Sequence, residues 1–142
     1  NVHQLKARLI DAFAPNHDGR MHVAIESFGF KHGLPLDADV VMDVRFLPNP
    51  HWDPELRPLT GLDPRVRDYV LDRDLTQQFL GRLEEMLAEL LPAYQAEGRS
   101  YLTIAIGCTG GRHRSVACAE ELARRLVARG VAAKTTHRDA GD

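Results

Sequence analysis

The stretch Gly107-Cys108-Thr109-Gly110-Gly111-Arg112-His113-Arg114-Ser115 restricts the possible folds more than any other part of the chain. The apolar run Tyr101-Leu102-Thr103-Ile104-Ala105-Ile106 precedes it, and a helical pattern starts at Val116. Strand, Gly-rich turn and helix in that order belong to an α/β layout. Glycines let the backbone bend until several N–H groups converge, and the helix N-terminus adds partial positive charge. Arg114 contributes a planar fork suited to two phosphate oxygens. The stretch is therefore expected to cradle an anion. A turn that only reverses the chain would not require Arg112, His113 and Arg114 together.

The flanking pattern agrees with such a fold. Val2, Leu5, Leu9, Ile10 and Phe13 recur at helical spacing behind a capping Asn1, and Pro15 to Gly19 reads as a turn. His22 to Phe28 and Val40 to Val44 read as strands, separated by a loop from Gly29 to Asp39. Arg45 to Pro64 carries Pro48, Pro50, Pro54, Pro58 and Pro64 without a period. A loop of that length inside a compact domain is usually functional, and Phe46, Leu47, Trp52, Leu56 and Leu59 give it surface to pack down. Asp74 and Gln77 resemble a capping box. Leu75, Phe79, Leu83, Met86, Leu87, Leu90, Leu91 and Tyr94 are expected to form the buried stripe of the helix that follows, ended by Gly98. After the Gly-rich loop, Val116, Ala119, Leu122, Ala123, Leu126 and Val127 face inward up to Gly130, with Arg124, Arg125 and Arg129 complementing the helix dipole. Val131 to Thr136 is a last strand. The order α-β-β-α-β-α-β predicts one three-layer α/β domain over 1–142, with a mostly parallel sheet of about four strands.

Composition narrows the function classes. The 142 residues are 44% hydrophobic and 27% charged, with a formal net charge of −2, so no overall basic field points to nucleic acid. No apolar run reaches the length of a membrane span, and no signal peptide is expected. Cys108 and Cys118 fit neither a zinc site nor an obvious disulfide, which suggests a reducing cytoplasm. His3, His17, His22, His32 and His137 have no metal-ligand spacing with acids or cysteines, so no metal site is expected. The chain opens on Asn1 without Met, as a piece of a longer protein would.

Two further clusters carry chemistry. Cys108 and Arg114, with five residues between them and Ser115 following, have the C-x5-R-S spacing of cysteine-dependent phosphatases. In those, a thiolate attacks phosphorus while the arginine holds its oxygens. Gly107 stands where those enzymes usually carry histidine, and a small packed cysteine is the plainer reading. The second cluster, Asp43-Val44-Arg45-Phe46-Leu47-Pro48-Asn49-Pro50-His51-Trp52, starts at a strand end, where α/β proteins place ligand contacts. Asp43 and Arg45 suit a structural ion pair. If their strand lies beside the one ending at Ile106, both clusters share one pocket, and an amine-bearing sugar phosphate would satisfy both. Lys31, with aromatic neighbours, joins Arg45, Arg112 and Arg114 as an RNA-contact candidate.

Read together, Glu26-Ser27-Phe28-Gly29-Phe30-Lys31-His32-Gly33-Leu34-Pro35, the Asp43–Trp52 cluster and the Gly107–Ser115 loop resemble the C-terminal domain of the RapZ/YvcJ family of bacterial nucleotide-binding proteins. The resemblance runs from about Val2 to Asp139. It implies a non-enzymatic regulatory module that senses glucosamine-6-phosphate in the control of amino-sugar synthesis, binds small RNA and works with regulatory proteins. It further implies a homo-oligomeric full-length protein whose N-terminal P-loop domain binds ATP or GTP. No G-x-x-x-x-G-K-[ST] occurs here, so no cofactor is expected in this domain. By motif the ligand pocket falls on Asp43, Arg45, Asn49, His51, Thr109, Gly110, Gly111, His113 and Arg114. Arg112 and Ser115 of the same loop complete the expected set. The chain ends His137-Arg138-Asp139-Ala140-Gly141-Asp142, without the strongly basic tail of the RNA-binding branch.

Overall fold

A computed structural model describes residues 20–141. The helix expected over Val2 to Phe13 and the turn after it lie outside the described residues. Four strands, β1 (His22–Gly29), β2 (Val40–Asp43), β3 (Tyr101–Cys108) and β4 (Ala132–His137), form one sheet in the order β2-β3-β1-β4. Every pairing is parallel. Among the described residues three helices flank it: α1 (Pro64–Leu71), α2 (Asp74–Ala96) and α3 (Arg114–Ala128). The expected α/β class with a four-stranded parallel sheet is what forms.

All eight residues of β1 are buried, as befits a strand with neighbours on both sides. β2, on one edge, is short, and its side chains alternate between half-buried and exposed. Asp43 registers with Gly107 and Gly29 with Cys108, so three strands end side by side. That register brings the Asp43–Trp52 segment next to the Gly-rich loop.

Helix α3 packs on β1, β3 and β4 and against α1 and α2. Cys118, Ala119, Leu122 and Leu126 are fully buried along it, while Val127, expected inward, is exposed. The core face of α2 is Thr76, Leu80, Leu83, Leu87 and Leu91. Burying each large apolar side chain on that face contributes about 1.5–3 kcal/mol. Leu75 and Met86, expected in that stripe, lie on a second apolar face, where with Phe79, Met42 and Phe46 they line a shallow groove. The Asp74/Gln77 capping box does not form. Arg73 is the N-cap, and Gln77 Nε2 and Thr76 Oγ1 instead donate to the carbonyls of Leu71 and Val70, tying α2 to α1.

Periodicity also missed α1, which is too short to show it. Its start is chemically marked: the Asp63 side chain accepts from the Arg65 N–H, and Pro64 opens the first turn. The segment before it is ordered, as expected, with a 3-10 turn at Pro50–Trp52.

Candidate anion-binding site

The loop Thr109–His113 leaves the C-terminal end of β3 and feeds α3 at Arg114, two residues before the expected helical start. Its outward carbonyls are taken up by neighbours. Lys31 N–H donates to the Thr109 carbonyl (3.2 Å) and Gly61 N–H to the Arg112 carbonyl (2.8 Å). Among the described residues, no acceptor engages the backbone N–H groups from Thr109 to His113. Carbonyls tied back and amides left open is the arrangement of an anion nest. Close approach holds it: Gly111, at φ +81°, presses against the Gly29 backbone, where either residue's Cβ would collide. Gly111 therefore shapes the loop and does not line the pocket.

The pocket beside this loop has a volume of about 490 Å³. Asn49, His51, Thr109, Gly110, Arg112, His113 and Arg114 line it, all of them expected ligand-site residues, and Lys31 and Cys108 join them. Trp52 and Arg57 line it as well, and the sequence reading assigned neither to the site. Arg57 sits on the proline-rich segment, which Arg112 Nη2 ties to the loop through the Pro58 carbonyl (3.2 Å). The available signal was a cation close behind His51 in an ordered loop. Trp52, 76% exposed, offers an indole at the rim beside His51.

Arg114 is only 5% exposed. Its Nη1 donates to the carbonyls of Arg45 (2.7 Å) and Leu47 (3.1 Å), and Nη2 reaches Thr109 Oγ1 at 3.4 Å. It thus clamps the 45–47 backbone to the loop while lining the pocket, a structural duty beyond the expected phosphate fork. Asn49 Oδ1 accepts from the His51 N–H, which leaves the carboxamide nitrogen to face a ligand.

His113 Nε2 lies 3.1 Å from the Arg57 carbonyl. A carbonyl only accepts, so Nε2 carries the proton. Burial pushes this imidazole below its ordinary pKa, against the raising effect of that carbonyl; positive Arg112 lowers it further. His113 is therefore a neutral member of the site.

Asp43 and Arg45 lie outside the lining. Arg45 donates through Nε and Nη2 to both carboxylate oxygens of Asp43, with Nη2–Oδ2 at 2.6 Å. It also sits 3.9 Å over the Phe30 ring. Hydrogen bonding from Arg45 holds the Asp43 carboxyl below the usual range, with positive Arg114 adding to the effect. In this structure both side chains are engaged in their mutual pair. Ser115 is buried beneath the loop, where the Cys108 thiol donates to its Oγ at 3.1 Å. Burial pushes the Cys118 thiol up to about 12, so it belongs to the core.

Among the described residues no carboxylate lines the pocket, although four cationic side chains do: Lys31, Arg57, Arg112 and Arg114. Elsewhere among the described residues several arginines are neutralised: Arg65 by Asp63, Arg99 by Asp39, Arg124 by Glu121 and Arg138 by Asp139. Positive charge is thus concentrated at this pocket on a chain of net charge −2.

An α/β domain with a Gly-rich loop and a cluster of cations at the C-terminal edge of a parallel sheet is thus defined by fold and site together. The sequence model described as the RapZ C-terminal domain matches residues 21–141, and the chain belongs to that family. It is 58% identical over 141 residues to a nucleotide-binding protein of Geobacter metallireducens, covering 98% of this chain and 49% of that one. A nucleotide-binding protein of Thermobifida fusca is 55% identical over 141 residues, covering 99% and 48% respectively. One of Streptomyces coelicolor is 52% identical over 141 residues, covering 99% and 47%. The chain spans about half the length of these curated relatives.

Proposed function

We propose that this domain is a non-catalytic sensor that binds a phosphorylated amino sugar, such as glucosamine-6-phosphate, for the regulatory protein of which it is a part. The observation that carries this reading is the pocket of unneutralised cations closed on one side by the open amides of the Gly-rich loop. The phosphate sits on the amides of Thr109 to His113, with the α3 N-terminus and Lys31 alongside. Asn49, His51 and the neutral His113 read the sugar hydroxyls or amine, and the exposed face of Trp52 covers its carbon skeleton. Calorimetric titration of glucosamine-6-phosphate, with glucosamine as control, tests it. Saturable heat is expected with the ester alone; no heat with the ester would sink the reading. His51→Ala should weaken the ester by roughly 1–2 kcal/mol, the range for a hydrogen bond to a charged or polar partner.

The Cys108–Ser115 hydrogen bond beneath the loop favours a second reading, a cysteine phosphatase with Cys108 as nucleophile and Arg114 on the phosphoryl oxygens. It predicts phosphate release from small phosphoesters that vanishes in Cys108→Ser. RNA binding through Lys31, Arg112 and Arg114 would use the same cations and compete with the phosphate ester. Of the expected RNA contacts, Arg45 is already engaged by Asp43.

A further inference from the structure

We infer that His113 takes up a proton when the phosphate ester binds, so that the domain reads ligand and acidity together. This rests on the phosphate-ester reading above and adds the regulation of that site. The ring that meets the ester is neutral; the ring that holds it is charged. By linkage, the ester is held more tightly as pH falls towards the range in which histidine titrates.

His113 stands where the Gly-rich loop becomes α3, as the N-cap residue, yet its side chain does not cap that helix. The ring turns instead to the proline-rich segment, with Nε2 3.1 Å from the Arg57 carbonyl, and the residue is only 7% exposed. Backbone contacts hold that orientation. Ala117 N–H donates to the His113 carbonyl at 3.0 Å, and Gly61 N–H to the neighbouring Arg112 carbonyl. Two carbonyls, those of Arg57 and Leu59, act on the ring, and each favours the charged form because a carbonyl only accepts. Partners for an imidazolium are already in place.

Against them stand burial and like charge. Arg112 from the loop, Arg114 from α3, His51 and Arg57 from the proline-rich segment and Lys31 from the 3-10 turn after β1 share the pocket with the ring. The Cys108 thiol reaches it from β3, and among the described residues no carboxylate lines it. The positive end of α3 adds to the opposition. A phosphate monoester on the loop amides brings about two negative charges at neutral pH. Those charges offset the field of the cations and of the helix end, while the carbonyls keep their pull. The balance then tips to the charged ring. Nδ1, which carries no proton in the neutral form, takes one from solvent, and the phosphate gains a further positive neighbour.

The test follows the His113 ring by NMR from pH 8 to pH 5, its signal assigned through the backbone, in the wild-type chain alone and saturated with glucosamine-6-phosphate. The midpoint should rise by about one pH unit or more on saturation, which means that the charged ring holds the ester about tenfold more tightly. Calorimetry should show the affinity for this ester rising at least about threefold from pH 8 to pH 6.5 in the wild type relative to His113→Gln. The ester and amine of the ligand titrate alike for both proteins, so only the difference between them belongs to His113. A midpoint unchanged or lowered by the ester would overturn the inference while leaving the phosphate-ester reading intact. A pH dependence undiminished in His113→Gln would overturn His113 as the proton acceptor. No binding of the ester at any pH would overturn that reading and this inference together. Should His113→Gln fail to fold, the wild-type midpoint still decides.

Discussion

Gly110 and Gly111 are adjacent and chemically identical, yet they make opposite demands. A Cβ at Gly110 would meet only the Lys31 side chain at ordinary contact distance. At Gly111 it would collide with the Gly29 backbone, in a left-handed conformation that side chains disfavour. Gly111→Ala should therefore cost about 2–4 kcal/mol in chemical denaturation, combining backbone strain with overpacking. Gly110→Ala should stay within about 0.5–1 kcal/mol of the wild type. Equal losses would show that the tight Gly29–Gly111 contact does not govern the loop. His113 has a pH signature. Its unfolded pKa is 6.5 and its folded value is lower, because burial disfavours the charged ring. Between those values the unfolded chain binds more protons, so the stability tied to neutral His113 is complete above pH 6.5. It is lost as pH falls through the folded value. Melting temperatures taken from pH 8 to pH 5 should fall more steeply for the wild type than for His113→Gln, and parallel curves would refute the assignment.

The segment just after β4 is what fixes the loop from behind. Asp139 Oδ2 accepts from the Gly29 N–H at 2.8 Å and from Arg138 Nε and Nη2 at 3.0 and 2.9 Å. Arg138 Nη2 also donates to the Gly33 carbonyl at 2.6 Å. Asp139 Cβ lies against Gly111, so one carboxylate secures both the end of β1 and the bend of the loop. Asp139→Ala should lower stability by about 1–3 kcal/mol, the range for a charged hydrogen bond left unmade. It should also weaken the phosphate ester; a variant with full affinity would mean the loop holds its shape without this clasp. No sequence pattern announced Asp139, because its effect depends on β4 lying beside β1. What was legible in the chain was local. The strand–loop–helix succession, the four strands and the pairing of Asp43 with Arg45 all follow from short-range periodicity and turn chemistry. The illegible features depend on tertiary contacts: the rotation of α2 that buries Leu80 and exposes Met86, and the return of Arg57 to the pocket. Helix α1 was missed for a different reason. Its Asp63-Pro64 start was readable, but eight residues give too little periodicity to weigh against a run of prolines.

Among the described residues several arginines are paired with acids, whereas the cations at one end of the sheet have no acid among the residues that line their pocket. Glu84 of α2 meets Arg125 and Arg129 of α3, Glu121 pairs with Arg124 and Arg125 within α3, and Asp39 meets Arg99 near β3. Exposed pairs of this kind add little stability each, with a median of about 0–1 kcal/mol. The pocket cations, with no acid among the lining residues, form a local field that net charge does not reveal. Ligand binding should therefore respond to salt as if the protein were basic. Screening shortens from about 10 Å at 0.1 M salt to about 3 Å at 1 M. Hydrogen bonds from the loop amides survive that change, whereas longer-range attraction from the side chains of Lys31, Arg57 and Arg112 does not. Glucosamine-6-phosphate affinity should thus fall several-fold between 0.1 M and 1 M potassium chloride, roughly 1 kcal/mol for charges separated by solvent at such distances. Uncharged glucosamine provides the baseline for non-electrostatic salt effects. A salt-independent affinity would place the ester where the loop amides alone hold it, and would remove the side chains of Lys31, Arg57 and Arg112 from recognition.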